Sequence, residues 1–259
     1  MTANELSFTG PSGSREPDLN PRYTLSEFIV DSGNRMAHAA SVAVAEKPGA
    51  LYNPLFLYGG TGIGKTHLLQ AIGHYAAEGG LAVRYVSAEA FATEALHAVR
   101  THTSEELRAR YGSVDVLLVD DIHFIAGKES TEEAFFHIFN SLYENKKQIV
   151  MSSDRAPKAM VTLQDRLRSR FEWGLIADIQ PAPQELRKAI LREKLDAMHR
   201  EMPNEVMEFV AQRAYPNSHK LEESLNRVLS YAEEHHVLLT VEVARLALQD
   251  ELNERYDVE

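Results

Sequence analysis

The sequence contains no cysteine among its 259 residues, which excludes disulfides, zinc–thiolate centres and cysteine nucleophiles. A cysteine-free chain fits a reducing compartment, and a cytoplasmic location is expected. No apolar run approaches the roughly 20 residues that span a bilayer, and the first residues lack the apolar centre of a signal peptide. Basic residues are scarce: 27 Lys and Arg face 38 Asp and Glu, for a net charge of -11. Duplex DNA is held largely by cations set against its phosphates, so a chain this acidic is a poor general DNA binder. Any nucleic-acid contact needs a local patch, and one basic cluster is present, DRLRSRF at residues 165–171. The eleven histidines are scattered. His67, His74, His137, His235 and His236 form no metal-ligand spacing, so surface or core roles are expected for them.

What is present is ordered along the chain. Residues 9–21, TGPSGSREPDLNP, are rich in Gly, Pro and Ser. They read as a disordered linker or an expression remnant, which sets the first unit at 1–21. Four short apolar runs follow: LFLY at 55–58, AVRYVS at 82–87, VDVLLVD at 114–120 and QIVMSS at 148–153. GLIADI at 174–179 supplies a fifth. Helix-like segments separate them, and strands alternating with helices predict a parallel sheet covered on both faces. Beyond residue 181 the strand signal stops. Residues 184–199, 204–214, 220–234 and 241–254 read as amphipathic helices, punctuated by Pro183, Pro203 and Pro216. The expected division is an α/β nucleotide-binding domain over 22–181 and a small helical domain over 182–259.

The chemistry concentrates in GGTGIGKT at residues 59–66. It fits the phosphate-loop pattern G-x-x-x-x-G-K-[ST]. Such a loop wraps an anion with backbone N–H groups, which demands glycine conformations and no Cβ in the way. Gly59, Gly60, Thr61, Gly62, Ile63 and Gly64 would form the cradle, and the following helix would aim its positive end at the phosphates. Lys65 would neutralise the β- and γ-phosphates, and Thr66 would hold Mg²⁺. The run VDVLLVDD ends in two carboxylates about 55 residues after the lysine. That is the Walker-B form, with Asp120 in the Mg²⁺ shell and Asp121 near the attacking water. The run ending at Asp154 is a further buried strand with polar residues at its carboxyl end, where ligands of open α/β sheets bind. Ser153 or Asp154 could therefore reach the γ-phosphate or its water.

These motifs in this order resemble the AAA+ ATPases, and within them the DnaA family of bacterial replication initiators. The resemblance runs from about Leu19 to about Asp250. Beside the phosphate loop, it is carried by VDVLLVDDIHFIAGKESTEEAFFHIFNSLYENKKQIVMSSDRAPK, DRLRSRFEWGL and PNEVMEFVA. It implies an AAA+ P-loop fold with a five-stranded parallel sheet, a helical lid, and a weak ATPase that binds ATP or ADP with Mg²⁺ and uses hydrolysis as a switch. Asp154 matches the sensor-1 position. Arg170 matches the arginine finger that reads ATP on the adjacent protomer of a head-to-tail filament, and Arg166 matches a second interface arginine. Residues 88–111 match a helical insertion that lines the filament and helps hold single-stranded DNA. Leu96, on that insertion, together with Lys128 and Thr131, is implied in the DNA contact.

The sequence departs from the family at several points. Ser130 stands where many members carry a basic or long polar residue. NSHKLEESL places His219 at the sensor-2 arginine and Glu223 at a glycine. Either His219 takes over the arginine's contact with nucleotide, or the lid has lost it. Neither the family's duplex-reading helix-turn-helix domain nor its helicase-interaction domain is recognised here. The linker-like start and the end just past the lid favour an excised core. The alternatives are a regulatory homologue that acts on a full-length initiator, and a loader that serves a replicative helicase.

Overall fold

The computed structural model describes residues 19–181, 183–213 and 218–249. Most of the expected linker, residues 1–18, lies outside them. Its last part does not behave as linker. Leu19 packs over Gly73, and the Asn20 N–H donates to Gln70 Oε1 at 2.8 Å.

Five strands, β1 (Leu55–Tyr58), β2 (Val83–Ser87), β3 (Val116–Asp120), β4 (Gln148–Ser153) and β5 (Leu175–Asp178), form one parallel sheet in the order β2–β3–β4–β1–β5. Leu55 of β1 lies opposite Val150 on one side and Leu175 on the other. Strand side chains alternate between faces, and the inner strands β1, β3 and β4 are covered on both, which is why they read as mainly apolar runs. Leu55, Leu57, Leu118 and Val150 face α1 (Arg35–Glu46) and α2 (Lys65–Glu78). Phe56, Leu117, Val119 and Met151 face the other way, towards α3 (Ala88–Thr101), α4 (Ser104–Gly112), α5 (Glu129–Glu144) and α6 (Asp165–Phe171). There Phe91, Phe135, Phe139 and Phe171 pack ring against ring, with centroids 5.4–6.4 Å apart.

After β5 the chain enters α7 (Gln184–Ala197), α8 (Asn204–Arg213), α9 (Ser218–Glu234) and α10 (Val241–Ala247). These helices share their own apolar cluster, including Leu195, Val206, Val210, Leu225, Val228 and Ala244.

Several bounds differ from the sequence expectation. β2 starts at Val83 because the Ala82 N–H is taken by the Asp115 carboxylate, at 2.9 Å. α7 stops at Ala197, and His199 turns the chain with φ 53°. α10 ends at Ala247, where the Leu248 N–H closes back on Ala244 O, and residues 250–254 lie outside the described part.

Candidate nucleotide site

β1 lies inside the sheet, between β4 and β5, and the glycine loop begins at its carboxyl end. A Cβ on Gly59 would lie 2.3 Å from Ile179 O and 2.2 Å from Ile63 Cδ1, and φ there is 151°. Gly64 is the N-cap of α2, in the left-handed region at φ 100°, where a Cβ would meet Phe28 Cε2 at 2.8 Å. No side chain caps this helix, so its first N–H groups are left for an anion. Buried Ile63 pins the loop while Gly60, Thr61 and Gly62 form its exposed rim.

Lys65 is only 8% exposed. Its ammonium donates to Gly59 O at 2.9 Å and Gly60 O at 2.7 Å. Burial lowers its pKa, and the charges of Asp121, Asp120 and Asp154 act in the opposite sense. Thr66 Oγ1 donates to Asp120 Oδ2 at 2.8 Å, and the Tyr85 hydroxyl donates to the same oxygen at 2.9 Å. Burial and the neighbouring Asp120 raise the Tyr85 pKa strongly, so it remains a donor. Ser152 Oγ donates to the other oxygen, Asp120 Oδ1, and accepts the Asp121 N–H at 2.8 Å.

Asp121 sits in the left-handed region with φ 53°, a conformation that Asp tolerates better than most residues. Burial, then the charge of Asp120, raises its pKa. Asp154 follows β4. Arg155 clamps it bidentately, at 2.8 and 2.6 Å, and holds its carboxyl below the usual range. His123 Nδ1 lies 3.4 Å from Asp154 Oδ1. The loop, Lys65, Thr66, Asp120, Asp121 and Asp154 therefore occupy one edge of the sheet, at the carboxyl ends of β1, β3 and β4.

Arg166 and Arg170 lie elsewhere. α6 leads into the amino end of β5, and Gly174 there is pressed against Pro54, which precedes β1. Arg170 Nε donates to Asn140 Oδ1 at 2.9 Å, and its guanidinium lies 3.7 Å from the Trp173 ring centroid. Arg166 is exposed and lies 4.6 Å from the Phe136 ring centroid. Arg168, the third arginine of the cluster, is paired with Asp165 on its own helix.

The remaining candidates are spread. Leu96 is 42% exposed on α3, and Lys128 is exposed at the N-cap of α5. Thr131 is fully buried and its Oγ1 has no hydrogen-bond partner, so it does not present the hydroxyl that a DNA contact would use. His219 falls in the first turn of α9, and its side chain lies outside the described part.

Sequence reasoning missed the segment before α1. Tyr23 stacks on His67 with ring centroids 4.9 Å apart, Phe28 meets His67 edge-on at 5.3 Å, and His67 Nε2 bonds Thr24 O at 2.7 Å. That segment thus packs on the first turn of α2, and His67 is bound up in it. Tyr85, Ser152 and Arg155 were missed as well, because single hydroxyls and an exposed arginine carry no spacing signal.

The donor set suits Mg²⁺. Two adjacent ligands of an octahedral ion at 2.0–2.1 Å lie roughly 2.9 Å apart, and Thr66 Oγ1 and Asp120 Oδ2 are 2.8 Å apart. Both are hard oxygen donors, as that ion prefers.

The model of the bacterial DnaA ATPase domain family matches residues 19–178. The chromosomal replication initiator protein DnaA of Herpetosiphon aurantiacus is 54% identical over 252 residues, which is 96% of this chain and 53% of that protein. The chain thus spans about half the length of this curated relative. Domain III of the Thermotoga maritima replication initiation protein DnaA superposes with a TM-score of 0.76 at 42% identity, covering 90% of this chain and 98% of that one. A replication initiator DnaA bound to AMPPCP and single-stranded DNA superposes with a TM-score of 0.75 at 41% identity, covering 85% and 69% of the two chains.

Proposed function

Because the chain belongs to the DnaA family of bacterial chromosomal replication initiators, we propose that it is an ATP-switched initiator core that assembles head-to-tail and engages single-stranded DNA. The observation that carries this reading is the separation of two half-sites. Lys65, Thr66, Asp120, Asp121 and Asp154 converge at the carboxyl edge of the sheet, whereas Arg166 and Arg170 sit where α6 enters the amino end of β5. β1 has four residues between these edges, a rise of about 13 Å at 3.3 Å per residue. That separation supports a role for Arg170 at a neighbour's nucleotide over one at its own. A surface that offers a nucleotide at one end and an arginine at the other makes a heterologous contact, which propagates as an open filament when the rotation does not close.

In this reading the γ-phosphate displaces the Gly59 and Gly60 carbonyls from Lys65, so an ammonium already buried gains an anionic partner. Thr66 and Asp120 would hold Mg²⁺, which would supply positive charge to offset that of the phosphates. Asp121 orients water and takes up its proton. Asp154, ionised and held by Arg155, would read the γ-phosphate through the attacking water, which can donate to both anions. With a division near residue 181, α7–α10 would serve as the helical lid in this reading. Exposed Leu96 on α3 and Lys128 at the start of α5 would face the single strand, whose neutral faces stack and whose phosphates need cations. The relative bound to AMPPCP and single-stranded DNA supports both ligands.

Nucleotide-dependent sedimentation with and without oligo-dT tests the whole reading. Assembly with ATP and not with ADP, and retention of the oligonucleotide only by the assembled form, are expected. Equal DNA binding by an Arg170→Ala protein that fails to assemble would refute the dependence on a filament.

A further inference from the structure

We propose that Trp173 and Asn140 are positioning residues that hold the Arg170 guanidinium ready for the neighbouring protomer's nucleotide. The inference rests on the reading of Arg170 as acting in trans and adds the device that aims it. An arginine at a protein surface has several freely turning bonds, and ordering it on contact costs entropy. Arg170 is already ordered. Its Nε donates to Asn140 Oδ1 at 2.9 Å, and the Trp173 ring lies under the guanidinium at 3.7 Å, with the Phe136 ring centroid at 5.6 Å. A cation over an indole face is the strongest such pairing among the aromatic side chains. Neither contact uses the Nη donors, the edge that would meet two phosphate oxygens at once.

Local sequence builds the cradle. Phe136, Asn140 and Tyr143 are spaced i, i+4, i+7 and so share one stripe of α5. Arg166 and Arg170, four apart on α6, face that stripe. The Trp173 N–H donates to Arg170 O at 3.2 Å, folding the chain back so that the indole returns over the residue three before it. The next residue, Gly174, fixes that turn, since a Cβ there would lie 1.8 Å from Pro54 O. Tyr143 packs on the indole at a tilt, with ring centroids 4.9 Å apart. Trp173 is nevertheless 46% exposed and is the single tryptophan of the chain. A large aromatic left this open contributes little to a core, and its contact with Arg170 accounts for its position.

The test separates the two sides of the seam. An Arg170→Ala protein binds ATP but supplies no arginine, and a Lys65→Ala protein supplies arginine but stays mostly empty at an ATP concentration set between the two affinities. Mixed, they form one productive pairing, read as ATP-dependent association by sedimentation or light scattering. Trp173→Ala added to the Lys65→Ala partner should weaken that association by about fivefold, the scale of a partly desolvated cation–π contact. The same change in the Arg170→Ala partner should have no effect, and Trp173→Phe should restore most of the loss. Asn140→Ala should repeat the asymmetry. Equal deficits on both sides, no deficit on the arginine-supplying side, or a Trp173→Phe protein as poor as Trp173→Ala would overturn the proposal. A mixture that associates no better than Arg170→Ala alone would instead overturn the trans reading, and this inference with it.

Discussion

Thr66 and Asp120 are 54 residues apart in sequence and 2.8 Å apart in space. The contact joins the first turn of the helix that follows the glycine loop to the end of a strand two places away in the sheet. Because Tyr85 and Ser152 also donate to the same carboxylate, Asp120 keeps its orientation when Thr66 is altered. Thr66→Ala should therefore remove one ligand of Mg²⁺ and little else. Nucleotide affinity measured with Mg²⁺ should fall at least tenfold, about 1.4 kcal/mol, while affinity measured in EDTA changes far less. An equal loss under both conditions would show that Thr66 contacts phosphate directly.

Lys65 connects burial to pH. Its pKa is lowered by burial, and a phosphate binds the protonated form. Nucleotide affinity should then be full at neutral pH and decline as pH rises through the lowered pKa, earlier than for an ordinary lysine near 10.4. Lys65→Ala should lower affinity at least tenfold, or about 1.4 kcal/mol, and abolish the alkaline decline. A fluorescent-nucleotide titration between pH 7 and pH 10 checks both, and a decline that persists in Lys65→Ala would assign it to another group.

Asp121 should separate binding from turnover. Its pKa is raised by burial and by Asp120, and only the ionised carboxylate can take a proton from water. Hydrolysis should rise as pH rises through that pKa, so the acid limb of the rate profile lies above the value near 3.9 of a free aspartate. Asp121→Asn should retain nucleotide binding and lose turnover by about 100-fold or more, the usual scale for a positioned base. Single-turnover hydrolysis beside a binding titration reads the two separately. Turnover retained in Asp121→Asn would leave water activation to other groups.

The parallel sheet was legible because its strands are buried on both faces. LFLY is wholly apolar and QIVMSS keeps its polar residues at its two ends, and the structure keeps their bounds unchanged. At VDVLLVD the interruption is Asp115, which pairs with Lys147 and caps Ala82, so β3 begins one residue after it. The phosphate loop was legible because glycines set directly before a helix weaken its start unless an anion needs the bare backbone. Thr131 was not legible in the same way. A threonine beside a lysine at a helix start reads as surface, yet the first turn of α5 rolls it inward beside Glu132. The cradle around Arg170 was hidden for another reason. Asn140 and Trp173 stand 33 positions apart, and neither residue type signals an arginine partner until α5 and α6 are packed.

Glu132 is 1% exposed, and its two oxygens serve two different segments. Oε1 accepts the Gly127 N–H at 2.7 Å, in the loop that carries Lys128, and Oε2 accepts the Gln164 N–H at 3.0 Å, at the N-cap of α6. One carboxylate thus ties the loop proposed to meet single-stranded DNA to the helix that carries Arg166 and Arg170. Glu132→Gln replaces one acceptor with a donor, so one of the two backbone N–H groups is left buried without a partner. That costs about 1–3 kcal/mol, and for a domain of this size about 2–4 °C of melting temperature per kcal/mol. A drop of roughly 2–12 °C is expected in a thermal melt. Glu132→Ala, which strands both N–H groups, should fall further. Glu132→Asp should also fail to rescue, because the shorter side chain cannot span both partners. If Glu132→Gln melts with the parent, the two segments are fixed by packing around Phe135 and Leu163, and Glu132 does not couple them.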